Sequence, residues 1–463
     1  MADQNDLRAA DEDETEDGYA LHNKVVSAAI DATEAGDRAR LMQVFEPLHP
    51  ADIADLLEQV DADDRTAILQ LAGDYIDGEI LSEIDEDIRD EVVETLAPQV
   101  LAEAVRELES DDVVDILEDL DEPQQEAILD ALDVVDRVAI EQALSYPEYS
   151  AGRLMQREVV IAPAHWTVGN AIDHMRAHDD LPEEFYHVVL VDPRHQPVAY
   201  VTLGRLMSSK RDTALAELAE DSFRTFTVDE DEGDVAYAFN QYHLISAPVV
   251  DESGRLVGVI TIDDAMTVLD EEHEEDVLRL GGVGDESLSN STLEIVRRRF
   301  PWLAVNLMTA ILASIVISLF EDALTAVVAL AVLMPIVASM GGNAGTQSMT
   351  VAVRALATRD LTGSNALRVI RRESLAGLLS GLIFAVVMGA VGSFWFGSSL
   401  IGLVLATAML VNLLVAGLSG VLVPLALDKA GIDPALASGT FVTTVTDIVG
   451  FFAFLGLATI VLL

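Results

Sequence analysis

Cysteine is absent from all 463 residues, which excludes a disulfide-stapled scaffold and a thiolate-ligated metal. Positive charge is scarce: 27 Lys and Arg stand against 80 Asp and Glu, a formal net charge of −53, and only Lys24, Lys210 and Lys429 are lysines. Phosphate binding needs clustered Lys and Arg, so nucleic acid is not an expected partner. The acidic start lacks the basic and apolar pattern of a cleavable signal peptide. No nucleophile, base and orienter cluster, phosphate loop or His-rich metal motif stands out either, so the chain is not expected to be an enzyme.

What is present divides in two. Residues 301–463 hold 6 basic and 7 acidic residues, whereas residues 1–300 hold 21 and 73. Carboxylates spread so evenly over the first part are the solvated surface expected of a cytosol with molar salt, which screens their repulsion. A single Asp or Glu there is weak evidence for an ion site unless its position adds something.

The second part is built of long uncharged runs. Residues 302–320 make 19, 323–353 make 31, and 374–427 make 54 with an interruption near Gly397-Ser398-Ser399; 434–463 make 30 with one charge, Asp447. Because roughly 20 apolar residues cross a bilayer, five spans are expected at about 302–320, 323–353, 374–396, 400–427 and 434–463. Arg297, Arg298 and Arg299 precede the first span, and Arg354, Arg359, Arg368, Arg371 and Arg372 fill the loop after the second, whereas Glu321 and Asp322 occupy the loop between. Lys and Arg are retained on the cytoplasmic side. The acidic half is therefore expected in the cytoplasm and the C-terminus outside, in a multi-pass protein of the cell membrane.

In the soluble part, residues 1–36 read as an acidic disordered tail, and 37–140 as a helical N domain. Ala51-Asp52-Ile53-Ala54-Asp55-Leu56-Leu57-Glu58 recurs 60 residues on as Asp111-Asp112-Val113-Val114-Asp115-Ile116-Leu117-Glu118, the mark of stacked helix pairs. A second repeat has an offset of 59: Val191-Asp192-Pro193 through Val201-Thr202 matches Val250-Asp251-Glu252 through Ile260-Thr261. Each copy reads as strand, turn, strand and helix, preceded by another helix. This resembles the CBS domain pair, with copies at 141–208 and 209–267. The first copy has Gly204-Arg205 where the second has Asp263-Asp264, so a ribose-binding carboxylate is available only in the second, and nucleotide binding is not favoured. A charged connecting helix, 268–300, leads to the membrane and is expected to break at Gly281-Gly282-Val283-Gly284.

Two places carry chemistry in the membrane part. A carboxylate at mid-membrane is costly and by default marks an ion pathway. Asp447 shares one helical stripe with Thr440, Thr443 and Thr444. The alternative is a structural Asp hydrogen-bonded to those hydroxyls. In the second span, Pro335 and the run Gly341-Gly342-Asn343-Ala344-Gly345-Thr346-Gln347-Ser348 suggest a helix broken at membrane depth, tolerated where backbone lines a cavity or is buried in protein. Asn343, Thr346, Gln347 and Thr350 share a face. Close helix packing is the competing reading of the glycines.

With GGNAGTQSMTVAVRALATRDL in the second span, GIDPALASGTFVTTVTDIVGFFAFLGLA at the last and SAGRLM at 150–155, the chain resembles the MgtE family of magnesium channels from about residue 37 to the end. The resemblance implies a multidomain fold: an all-α superhelical N domain, an α/β CBS-domain pair, a connecting helix and an all-α membrane domain of five transmembrane helices. It implies a homodimer in the lipid bilayer whose second and fifth spans line a pore for Mg²⁺, with Asp447 as the ligand of the hydrated ion and Asn343, Thr346, Gln347, Thr443 and Thr444 lining it. It also implies closure by cytoplasmic Mg²⁺, the regulatory ion, at positions matching Asp111, Asp115, Asp264, Glu272, Glu275, Asp276 and Asp433. The chain departs from the family at Thr267, where another acidic ligand is usual, at Gly417, where a pore-lining Asn is common, and at Thr440, where a Pro often precedes the last span. A Na⁺- or H⁺-coupled transporter and a membrane-anchored CBS sensor without transport are the rival readings.

Overall fold

The computed structural model describes residues 21–118, 120, 122–130, 132, 134–178, 181–182, 185–220, 223–283 and 292–463. The chain forms two compact units, Met1–Glu271 and Glu272–Leu463.

The first unit opens with ten short helices among the described residues, from Asn23–Glu34 to Val134–Ala143. The acidic composition serves them directly, because carboxylates satisfy the free N–H groups of a first helical turn. Asp37 accepts from the Arg40 amide at 3.1 Å, Asp61 from Asp64 at 2.9 Å and Asp77 from Ile80 at 3.0 Å. The helices share one apolar core. Its repeat-related members are buried alike, Ile53, Ala54, Leu56 and Leu57 on Pro50–Gln59 and Val113, Val114, Ile116 and Leu117 on Ser110–Glu118.

The expected disordered tail is too long. Residues 23–34 form a helix whose Ala29 and Ala32 are fully buried, with Val25, Val26 and Ile30 packed against the same core. Two apolar residues per turn, on one face, were enough to hold it although the preceding sequence is acidic. The run Asp11 to Asp17 lies outside the described residues.

Two three-stranded sheets follow with one topology. In the first, β1 (Ile161–Pro163) runs parallel to β2 (His187–Val191), which is antiparallel to β3 (Pro197–Thr202). In the second, β4 (Phe226–Thr227), β5 (Ser246–Val250) and β6 (Leu256–Thr261) repeat that order. The copies are not divided at 208/209. Ala151 and Met155 of the SAGRLM segment lie in the core of the second copy with Phe226, Val249 and Ile260, and the Ala151 amide donates to Glu230 O at 2.7 Å. Leu215 in turn fills the core of the first. Each module thus borrows a segment across the expected boundary, which a linear division of the chain cannot show. The repeat-related His187 and Ser246 meet, with Nδ1 and Oγ 2.5 Å apart.

The connecting helix starts earlier than expected, directly from β6, and spans Ile262–Leu280. It stops at Gly281 and Gly282, the latter at φ +74°, a conformation glycine adopts freely.

Among its described residues the second unit has five helices long and apolar enough to cross a membrane: Ile295–Ser318, Ala329–Ala357, Ala366–Phe396, Ser399–Lys429 and Pro434–Leu462. The long uncharged run divides at Gly397, φ +61°, after which Ser398 caps the fourth span. The second span does not break at its glycines. Ala329–Ala357 is one continuous α-helix, and the interruption lies earlier, at Val327 and Val328 after the short helix Glu321–Ala326. The glycines are there for contact. A Cβ on Gly341 would stand 2.2 Å from Asn412 Nδ2, and one on Gly345 2.7 Å from Val442 Cγ1. Small residues let helices approach closely where lipid supplies no hydrophobic force between them.

Candidate functional site

The fifth span begins at Asp433, which caps it by accepting from the Ala435 amide at 2.7 Å, with Pro434 in the first turn. About four turns on, Asp447 is half-buried. The threonines of its stripe do not hold it. Thr443 donates to the Gly439 and Thr440 carbonyls, Thr444 to the Thr440 carbonyl at 2.6 Å, and Thr440 to Asn306 Oδ1 at 3.0 Å. Among the described residues no hydrogen bond or ion pair reaches the Asp447 carboxylate. The competing picture of an Asp tied to Thr hydroxyls is therefore absent from this structure.

On the second span, Gly341 and Gly345 face protein while Asn343, Thr346, Gln347 and Thr350 occupy the exposed side of the single chain. Thr346 also accepts from Thr350 Oγ1 through its carbonyl, at 3.0 Å. No hydrogen bond joins Asn343, Thr346 or Gln347 to Asp447 among the described residues. Gly417, at a position expected to line the pore, instead packs on the third span: a Cβ there would stand 2.6 Å from Glu373 O and 3.4 Å from Gly377 Cα. Sequence reasoning missed Asn412 of the fourth span, fully buried, whose Nδ2 donates to Val337 O at 2.8 Å. An amide inside an apolar run was the signal that could have found it.

The soluble candidates fall into two groups, one in each unit. In the first, Asp111 is buried at the start of the Ser110–Glu118 helix and accepts from the Asp112 amide at 3.0 Å. Asp264, on the connecting helix just after β6, accepts from Thr261 Oγ1 at 2.6 Å. Burial and repulsion from Asp264 and Asp112 push the Asp111 carboxyl well above the usual carboxylate range. Burial first, then Asp264, raises Asp112 to about 7, and burial with the charges of Glu158 and Asp264 raises Glu109 to about 7. Asp264 is raised to about 6, chiefly by burial. Glu109 and Asp112 were not foreseen, although they sit in the same Glu109-Ser110-Asp111-Asp112 run. Asp115 stands apart chemically, paired with the buried Arg89 guanidinium at 2.7 Å.

In the second unit, Arg279 pairs with Glu275 on its own helix and, at 3.2 Å, with Asp433 at the head of the last span. Burial and the nearby Asp433 charge raise the Asp276 carboxyl. Glu272 is exposed one turn earlier. Among the described residues no three His, Asp or Glu side chains form a ready metal-holding group.

A half-buried carboxylate on one of five helices apolar enough to cross a membrane, in a chain that also carries a crowded acidic cluster and a CBS-like pair of sheets, defines a class of multi-pass cation-handling membrane proteins. The comparisons agree. Residues 334–457 match a family model described as a divalent cation transporter, residues 48–149 the MgtE intracellular N domain, and residues 151–212 and 215–271 the CBS domain. The chain belongs to the MgtE family. It is 33% identical over 449 residues to the magnesium transporter MgtE of Thermus thermophilus, covering 96% of this chain and 99% of that protein. It is 34% identical over 319 residues to that of Enterococcus faecalis, covering 69% and 70%. A crystal structure of the cytosolic domain of the Mg²⁺ channel MgtE in complex with ATP is similar at 30% identity and a TM-score of 0.48, over 52% of this chain and 99% of that one.

Proposed function

We propose that the chain is a Mg²⁺-selective channel for magnesium uptake across the cell membrane, acting as a homodimer and closed by cytoplasmic Mg²⁺. One observation carries this reading: Asp447, near the middle of the fifth span, has no hydrogen-bond or ion-pair partner among the described residues. Mg²⁺ demands octahedral oxygen and releases water reluctantly. Two symmetry-related carboxylates can hold it with its water shell, selecting by charge and size without full dehydration. The exposed amide and hydroxyl face of Asn343, Thr346 and Gln347, with Thr443 and Thr444, would complete such a pathway against a second copy. The basic flanks of the first and second spans support a cytoplasmic soluble half and an outside C-terminus.

Closure would come from the acidic groups. Glu109, Asp111, Asp112 and Asp264 offer only hard oxygen donors; burial first, and then their neighbours' negative charges, raise their pKa values, and Mg²⁺ would offset that repulsion. Stronger binding to the packed arrangement shifts the population toward it. In the membrane unit the donors fit less freely, because Arg279 already bridges Glu275 and Asp433; Mg²⁺ at Glu272, Glu275, Asp276 or Asp433 would compete with that guanidinium. A nucleotide at the CBS pair is not needed for this reading, and neither is enzymatic activity.

The test is Mg²⁺ flux into liposomes with and without Na⁺ or H⁺ gradients. Flux that follows the Mg²⁺ gradient alone is expected. Strict dependence on a Na⁺ or H⁺ gradient would replace the channel by a coupled transporter, and absence of flux would leave a membrane-anchored sensor. Asp447 is the only carboxylate of the fifth span, Pro434–Leu462, so that span offers no second one to couple another ion at the same site.

A further inference from the structure

The fourth span presents Asn412 to two neighbours at once. Its Nδ2 lies where a Cβ on Gly341 of the second span would come within 2.2 Å, and where one on Gly450 of the fifth would come within 2.7 Å. Both helices therefore close onto this one amide, and only glycine leaves room for it. Gly450 is three residues after Asp447, so the amide packs on the fifth span within one turn of the carboxylate assigned to the ion path. Among the described residues the amide is bonded on one side only: Nδ2 donates to Val337 O at 2.8 Å, while Oδ1 is buried without a hydrogen-bond partner. Flipping the amide would set two oxygens against each other, so this orientation is the one the surroundings allow. A buried carbonyl left unpaired is unfavourable, and an apolar side chain of similar size would avoid the loss. Stability alone therefore does not account for an amide here. What an amide adds is a directional bond that sets the rotation and register of the second span against the fourth.

We propose that Asn412 is a positioning residue: it holds the second and fifth spans at a set separation around Asp447, and so governs how tightly and how selectively the path takes a hydrated divalent cation. This rests on the reading of Asp447 as the pore ligand.

The test uses the full chain in liposomes and separates half-saturating Mg²⁺ from maximal flux. Asn412→Leu is expected to raise the half-saturating concentration roughly tenfold, since small displacements remote from the chemistry have effects of that order, and to raise Ca²⁺ flux relative to Mg²⁺. Leu405→Ala, a fully buried apolar change on the same span, is expected to lower the yield of folded protein but neither of those quantities. Asn412→Asp keeps the shape and, when protonated, the donor. It should match the wild type in acid and depart from it as pH rises, relative to the wild-type pH profile; this readout also serves if Asn412→Leu does not fold. Wild-type half-saturation and ion ratio in Asn412→Leu, an equal shift in Leu405→Ala, or a pH profile of Asn412→Asp identical to wild type would overturn the proposal. Asp447→Ala run alongside distinguishes the failures. If that variant still transports, the pore reading has failed; if it does not and the Asn412 variants behave as wild type, only the positioning role has.

Discussion

The two units use carboxylates in opposite ways. The soluble unit carries them by the dozen, most facing solvent or capping helices, and a few crowded together. The membrane unit carries few, and one of them, Asp447, lies near the middle of a span, where a charge is costly to place. In the first unit information lies in grouping; in the second it lies in solitude. Composition alone makes a single acidic residue almost uninformative in one unit and decisive in the other.

The sharpest way to break this comparison is to neutralise one carboxylate in each. Asp447→Ala is expected to reduce Mg²⁺ flux to that of empty liposomes while the protein remains folded, whereas the exposed Asp63→Asn should leave flux unchanged. Equal effects would erase the distinction.

Packing in the membrane unit is the next largest effect. Gly345→Ala pushes a methyl group to 2.7 Å from Val442 Cγ1, and overpacking of this kind costs about 1–3 kcal/mol. Lower thermal stability of the full chain in detergent is expected; Gly342→Ala, with open space around its Cβ, should be neutral.

Grouping in the soluble unit is tested by pH. Asp112 and Glu109, raised to about 7, and Asp264, raised to about 6, bind protons more readily folded than unfolded. Their contribution to stability is full below about pH 4 and is lost as pH rises through 6 to 7. Without divalent ions, protease resistance of the soluble unit should therefore fall over that window, and Mg²⁺ in high KCl should restore it. Unchanged resistance, or restoration that survives Asp112→Asn with Asp264→Asn, would assign these carboxylates to the solvated surface.

The smallest effect has the opposite sign. Burial lowers His187 to about 4, so its contribution is present above about pH 6.5 and lost as pH falls toward 4. His187→Asn should flatten the acid limb of a denaturant-unfolding profile; an unaltered limb would show that another group sets it.

Much of the architecture was legible because it depends on local period and length. The 59-residue repeat appears as two sheets of identical order, with β2 and β5, and β3 and β6, in matching positions. Four long apolar runs appear as five long helices, the 54-residue run dividing into two as its length requires. The misreadings share a cause. Gly341 and Gly345 were taken to break a helix because glycine is a poor helix former, yet in the membrane the contact they allow with Asn412 and Val442 outweighs that propensity. The helix at 23–34 was hidden by its acidic neighbours, and its buried Ala29 and Ala32 matter only against helices further along.

The sequence by itself determined which segments are apolar enough to cross a bilayer, which repeat, and where the one charge of the last apolar run falls, since these follow from the order of residue types along the chain. Only the tertiary structure decided that Asp112 and Glu109 join Asp111 and Asp264 while Asp115 is taken by Arg89, that each CBS module exchanges a segment with the other, and that Asn412 sits between the second and fifth spans. Those outcomes depend on which distant surfaces come within a few ångströms, where burial and neighbouring charge, rather than residue type, set what a side chain does.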